Sequence, residues 1–172
     1  LQFPVLFDNE SLLRNYRSFF SNCTAPISND EWLVLEMQFV PTILCVDDDE
    51  DDLFFVQEAI QSHPGGFAIE QARNGWEAYN FLMKCVQKEQ LPCLVIMDIN
   101  MPRMNGRQTI LKIRETDSLA AIPVAIFTTS SNQADRRFFE GLGVHFITKP
   151  FDYQVFRQEI LRLLSTHGPL NR

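Results

Sequence analysis

Four apolar residues in a row, Leu94-Val95-Ile96-Met97, run straight into one aspartate, Asp98, and the chain then meets Asn100, Pro102 and Gly106. An unbroken apolar run this short has the length of a strand, and it must be buried on both faces. The turn-forming residues after it force the chain out of the sheet. The stretch therefore delivers a single carboxylate to the C-terminal end of an inner strand. In open α/β sheets that edge is where ligands bind.

The rest of the sequence supplies the sheet around it. Thr42–Val46 reads as a strand carrying Ile43, Leu44 and Val46. Residues 51–62 follow as a helix with Phe55, Val56, Ala59 and Ile60 on one side, stopped by His63-Pro64-Gly65-Gly66. The pattern then predicts a strand over 67–72, a turn at Asn74-Gly75, and a helix over 76–88 with Ala78, Phe81, Leu82 and Cys85 inward. The central strand spans 93–98, and a short helix over 106–115 carries Ile110, Leu111 and Ile113. Pro123 introduces a fourth strand at 124–128, a helix follows over 132–142 with Gly143 ending it, and 145–148 is a short fifth strand. The last helix, 152–165, sets Val155, Phe156, Ile160, Leu163 and Leu164 on one face. Strictly alternating strands and helices imply an α/β fold: a doubly wound, five-stranded parallel sheet with five flanking helices and right-handed crossovers.

Composition excludes several functions. The net charge is −7, without a Lys/Arg cluster, which argues against nucleic-acid or anionic-membrane binding. No apolar run approaches the roughly 18 residues of a membrane span, and no basic flank with a cleavage site marks a signal peptide. Cys23, Cys45, Cys85 and Cys93 form no Cys-x-x-Cys pair and read as reduced thiols, so a cytoplasmic location is expected. His63, His145 and His167 lie too far apart in sequence to suggest a zinc site.

Residues 1–40 differ in texture. Leu12, Leu13, Tyr16, Phe19 and Phe20 fall on one helical face, with Asn9 as an N-cap, and a loop follows over 21–30. Two readings stand for this extension: a helix that docks on the domain or on a partner, or upstream sequence foreign to the native chain, with Met37 as its start. The folded domain is expected over 41–168, with 169–172 as a tail.

Because parallel strands all point one way, their C-terminal ends share an edge. Val46-Asp47-Asp48-Asp49, Asp98 with Asn100, Thr128-Thr129-Ser130 and Thr148-Lys149-Pro150 all arrive there. Taken singly, each has an ordinary explanation: acids before a helix suit its dipole, Thr128 is a common strand residue, and a lysine is usually a solvated charge. Their coincidence at one edge points to chemistry. Close carboxylates repel unless a cation joins them, and Mg²⁺, a hard ion with oxygen ligands, suits such a group and bridges readily to phosphate. A carboxylate can also attack phosphorus to give an aspartyl phosphate, a transfer that needs the phosphoryl charge neutralised.

The stretches Ile43–Asp48, Val95–Gly106, Ile126–Ser130 and Ile147–Phe151 together resemble the receiver domain of two-component response regulators, over about residues 42–166. The resemblance implies the flavodoxin-like strand order 2-1-3-4-5. It implies that Asp98 accepts a phosphoryl group from a sensor histidine kinase or phosphotransfer protein. Asp48 and Asp98 would ligate Mg²⁺ (Mn²⁺ being able to replace it), Asn100 would do so through its carbonyl, and Asp47 through a water. Thr128 and Lys149 would bind phosphoryl oxygens, the Lys149-Pro150 bond would be cis, and Thr128 with Phe146 would form the switch. Asn100 and Ser130 occupy the positions that tune the lifetime of the acyl phosphate.

The output face implied is the fourth helix, fifth strand and fifth helix, where Phe138, Phe139, Tyr153 and Phe156 lie, at least half of them core. It would serve a downstream protein or a homodimer. The chain is then read as a phosphoacceptor module rather than an enzyme, limited to self-phosphorylation from small donors and autodephosphorylation. Two rivals remain. A haloacid-dehalogenase-type phosphatase would need Asp-x-Asp-x-Thr/Val after the first strand, and Asp47-Asp48-Asp49-Glu50-Asp51 fails its last position. A receiver-like scaffold that never uses phosphate is hard to square with the intact acidic edge.

Overall fold

The computed structural model describes residues 40–167. The ten elements alternate: β1 (Thr42–Val46), α1 (Glu50–Gln61), β2 (Ala68–Ala72), α2 (Gly75–Gln87), β3 (Leu94–Met97), α3 (Gly106–Glu115), β4 (Val124–Thr128), α4 (Gln133–Gly141), β5 (His145–Thr148) and α5 (Tyr153–His167). The strands form one parallel sheet in the order β2-β1-β3-β4-β5. This is the flavodoxin-like arrangement, and the chain crosses the sheet where β1 and β3 lie side by side.

Strand alternation divides the core. Leu44, Val46, Val95, Met97, Val124, Ile126 and Phe146 meet Ala78, Leu82, Ile110, Ile113 and Phe139 from α2, α3 and α4. Ile43, Cys45, Leu94, Ile96, Ala125 and Phe127 meet Leu53, Val56, Ala59, Ile60, Phe156, Ile160, Leu163 and Leu164 from α1 and α5. Each fully buried Leu, Ile or Phe contributes about 1.5–3 kcal/mol, so the two layers together hold the sheet between them. The inner strands β1, β3 and β4 are buried almost throughout, whereas β2 and β5, at the edges, keep partly exposed residues. The expectation of strands buried on both sides therefore holds only for the inner three.

Register fixes the functional edge. Val46 lies opposite Met97, Met97 opposite Ile126, and Thr128 opposite Thr148. The ladder continues one residue past the strands: Asp47 N–H donates to Ala72 O, Asp98 N–H to Val46 O and Lys149 N–H to Thr128 O, at 3.0, 2.9 and 2.7 Å. The backbones of three charged residues are thus tied to the sheet although their side chains leave it.

Helix starts are set by caps. Asp49, Asn74, Asn105 and Asn132 each accept a backbone N–H of the first turn of α1 to α4, and Asp152 does the same for Gln154 and Val155 of α5. Expected starts at Asn132 and Asp152 are in fact the caps themselves. Three residues expected inward face out: Phe55, Leu111 and Val155 are 38%, 41% and 45% exposed. In α1 the inward stripe runs Leu53, Val56, Ala59, Ile60, and Phe55 falls beside it, its ring against Tyr153 at 5.4 Å. In α5 the stripe begins at Phe156, one residue after Val155.

The Lys149-Pro150 bond is trans, not cis, as are all peptide bonds among the described residues. Trans is the intrinsically preferred form of an X-Pro bond, by about 0.5–1 kcal/mol. The helix expected over residues 12–20 with its Asn9 cap, Cys23 and the tail 169–172 lie outside the described residues.

Candidate functional site

Asp98 directly follows β3, the central strand of the sheet, and is only 7% exposed. Its Oδ2 accepts the Asn100 N–H at 2.6 Å, which turns the carboxylate back over its own loop and leaves Oδ1 facing the edge. Asp47, 8% exposed, uses Oδ1 in the same way to accept the Asp49 N–H at 3.0 Å. Asp48 is exposed beside them. One carboxylate oxygen from each of Asp47, Asp48 and Asp98 lies within 4.8 Å of the others. Among the described residues this is the one group of metal-ligating side chains so assembled. Its all-oxygen donor set, partly buried and concentrated in negative charge, fits a hard divalent cation and not a thiophilic one.

Lys149 reaches into this group from the start of the β5–α5 loop. Its Nζ donates to Asp47 Oδ2 at 2.6 Å and to Asp52 Oδ2 at 2.6 Å, and stands 3.8 Å from Asp98 Oδ1. Burial by itself would lower the lysine's pKa, but hydrogen bonds and charge from Asp47, Asp52 and Asp98 outweigh it and hold the ammonium above its ordinary range. Lys149 therefore carries its charge although its side chain is 6% exposed. Burial pushes Asp47 above the ordinary aspartate range even with Lys149 working against it.

Thr128 ends β4 with no exposed surface, and its Oγ1 accepts the Ser130 N–H at 3.2 Å. Ser130 Oγ in turn bonds Asp135 Oδ2 at 3.3 Å, and Asp135 pairs with Arg107 of α3 at 2.9 Å. Arg107 lies over the Phe138 ring, 4.0 Å from its centre. Phe146, 6% exposed, packs against Phe139 and lies under Arg136, whose guanidinium also donates to the Phe146 carbonyl. Of the four aromatics expected on this side, Phe139 and Phe156 are core, Phe138 is half-buried, and Tyr153 is exposed.

The structure thus brings Asp47, Asp48, Asp98 and Lys149 into proximity at one edge, with Thr128 at the end of β4, while Phe146 lies within β5 opposite Ile126. Asp52 is the partner that sequence reading missed. It sits in the first turn of α1, where an acid is ordinarily explained by the helix start and so gives no signal of its own. The Arg107–Asp135–Ser130 chain carried no signal either, because it joins residues from two helices and a loop.

A family model of the response regulator receiver domain matches residues 43–161. Among curated relatives, response regulator Rre1 of Synechocystis is 32% identical over 126 residues, which is 73% of this chain and 52% of Rre1. Protein PilH of Pseudomonas aeruginosa is 28% identical over 124 residues, 72% of this chain and 97% of PilH. The chain thus spans about half the length of the one and nearly all of the other.

Among solved structures, the phosphorylated cyanobacterial phytochrome response regulator RcpA superposes with a TM-score of 0.70 at 26% identity, over 75% of this chain and 94% of that one. The Mn²⁺-bound form of response regulator Rcp1 gives 0.66 at 28%, over 73% and 93%. The family match, the shared sheet order and the acidic pocket around Lys149 agree, and the chain belongs to the response regulator receiver domain family of two-component systems.

Proposed function

We propose that Asp98 is the phosphoacceptor of a phosphorelay, taking a phosphoryl group from a phosphohistidine on a sensor kinase or phosphotransfer protein. The observation that carries this reading is the position of Asp98: a buried carboxylate at the end of β3 with an ammonium 3.8 Å away and two further carboxylates within 4.8 Å. In the transfer, one Asp98 oxygen forms the new O–P bond, the N–P bond of the donor breaks, and the departing imidazole takes a proton from solvent. Lys149 meets the charge of the transferred group, and Thr128 offers its hydroxyl to a phosphoryl oxygen.

Asp48 and Asp98 through their carboxylates, Asn100 through its carbonyl and Asp47 through a water would hold Mg²⁺ or Mn²⁺. The ion supplies charge neutralisation to the phosphoryl oxygens. Asn100 and Ser130 flank the acceptor and the threonine, where they limit the approach of hydrolytic water. With the phosphoryl group in place, Thr128 moves toward it and Phe146 follows into the space released. That change would be read on the face of α4, β5 and α5, by a downstream protein or a second copy of the chain. The half-buried Phe138 and exposed Tyr153 support that placement. The chain acts in this reading as a switched binding module, one without catalytic turnover of a separate substrate.

Incubation with acetyl phosphate and Mg²⁺, read on a phosphate-affinity gel, tests the proposal. The wild-type chain should take up one phosphate that alkali and hydroxylamine release, and Asp98→Asn should take up none. Labelling of Asp98→Asn to the wild-type level would remove Asp98 from the role.

A further inference from the structure

Lys149 has three N–H donors, and two of them are committed. One goes to Asp47, a residue of the acidic group, and one to Asp52, which stands outside it. Both bonds are 2.6 Å long, while Asp98 is left at 3.8 Å, beyond a hydrogen bond. Asp52 is placed for this by the first turn of α1: its own N–H bonds Asp49 Oδ1 at 3.4 Å, and its side chain turns toward the sheet edge. The three carboxylates around Lys149 differ in access to water. Asp47 and Asp98 are 11% and 8% exposed at the side chain, against 26% for Asp52. Asp52 is therefore the partner that water replaces at least cost when the ammonium swings away.

We propose that Asp52 is a positioning residue that holds Lys149 back from Asp98 in the unphosphorylated chain and competes with the phosphoryl group for the same ammonium. The inference rests on Asp98 being the phosphoacceptor. A phosphoryl group on Asp98 draws the ammonium away from Asp52, so Asp52 opposes the phosphorylated state. Removing its charge leaves the lysine free to serve Asp98, and the phosphorylated state gains. A carboxylate that merely braced α1 would act in the other sense, because its loss would loosen the site.

The test compares the full chain carrying Asp52→Asn, Asp52→Ser or Asp51→Asn with wild type and Asp98→Asn. Each is titrated with acetyl phosphate at saturating Mg²⁺, and label loss is then followed after donor removal. Asp51 is exposed, touches neither Lys149 nor the acidic group, and changes net charge by the same amount.

Both Asp52 variants should reach half-labelling at about three- to tenfold less donor than wild type, as expected for one partly screened, charge-assisted hydrogen bond, and should hold their label longer. Asp51→Asn should shift by less than twofold. Equal or higher donor demand in the Asp52 variants, or an equal gain in Asp51→Asn, overturns the role of Asp52 while Asp98 stands. Absence of label from wild type, or wild-type label on Asp98→Asn, overturns the phosphoacceptor reading and this inference with it.

Discussion

At the scale of single residues, what the site demands is closeness of backbone. A Cβ on Gly106 would lie 2.7 Å from the Asp98 carbonyl oxygen and 2.9 Å from the Ile99 Cα, both backbone atoms that have nowhere to retreat. Its N–H meanwhile closes the loop by donating to Ile99 O at 2.9 Å. Gly106→Ala must therefore lift the segment 99–106 off the end of β3, at a cost of about 1–3 kcal/mol. Urea unfolding should show that loss as a lower midpoint at unchanged slope, and the segment that moves carries Asn100. Cys45 shows the opposite face of the same packing. Burial first, and the charge of Asp47 second, push its thiol up to about 12, so next to the acidic edge it behaves as an apolar residue.

At the scale of elements, polar caps hold the helices in register. Glu77 sits in the first turn of α2, accepting the Arg73 N–H at 2.9 Å and the Asn74 side-chain amide at 2.8 Å, while its own N–H bonds Asn74 Oδ1. The Arg73 backbone bond first, and Asn74 second, hold its carboxyl below the ordinary glutamate range. A carboxyl lowered on folding stabilises the native state above its unfolded pKa and loses that contribution as pH falls through its folded one. Urea midpoints of wild type and Glu77→Gln should therefore differ near neutrality and converge as the pH drops below the glutamate range.

The caps also show what a sequence discloses at this scale. The expected start of every described helix falls within a residue of the observed one, and each lies beside an aspartate or asparagine cap, because capping is local chemistry. Which helix face turns inward was less legible. Phe55 and Val155 are as apolar as their neighbours, and only the packing of α1 beside α5 decides that they stay outside. Helix α4 is held differently again: Phe139 is its one buried residue, Phe138 packs partly against the core, and Arg107 to Asp135 and Arg136 to Phe146 add polar anchorage. An element tied by exchangeable polar bonds can shift without breaking a core, which suits the face proposed to report on Asp98.

At the scale of the molecule, the fold spends its topology on assembling charge. Residues 47, 98 and 149 are far apart in sequence, yet parallel strands of nearly equal length bring them to one edge, and that consequence was readable from the alternation of strands and helices. The cost was not readable. Three carboxylates within 4.8 Å repel by roughly 3–4 kcal/mol per pair at an effective dielectric constant near 20. Lys149 opposes that repulsion from 2.6 Å at Asp47 and 3.8 Å at Asp98, while it also bonds Asp52 outside the trio.

A divalent cation joining the proposed site should consequently stabilise the whole chain and not only the loops it touches. Binding to the native state alone contributes about 2.7 kcal/mol at a hundredfold excess over Kd, enough to raise the thermal midpoint by several degrees. The midpoint of the EDTA-treated chain should climb with Mg²⁺ in that manner, whereas NaCl of equal ionic strength, which only screens the −7 net charge, should move it far less. Asp48→Asn removes one carboxylate of the trio from its exposed side and should start from a midpoint no lower than wild type, since repulsion falls, while losing most of the Mg²⁺ response. A wild-type response in Asp48→Asn would place the cation elsewhere on the acidic surface and separate the repulsion at this edge from the metal it is proposed to bind.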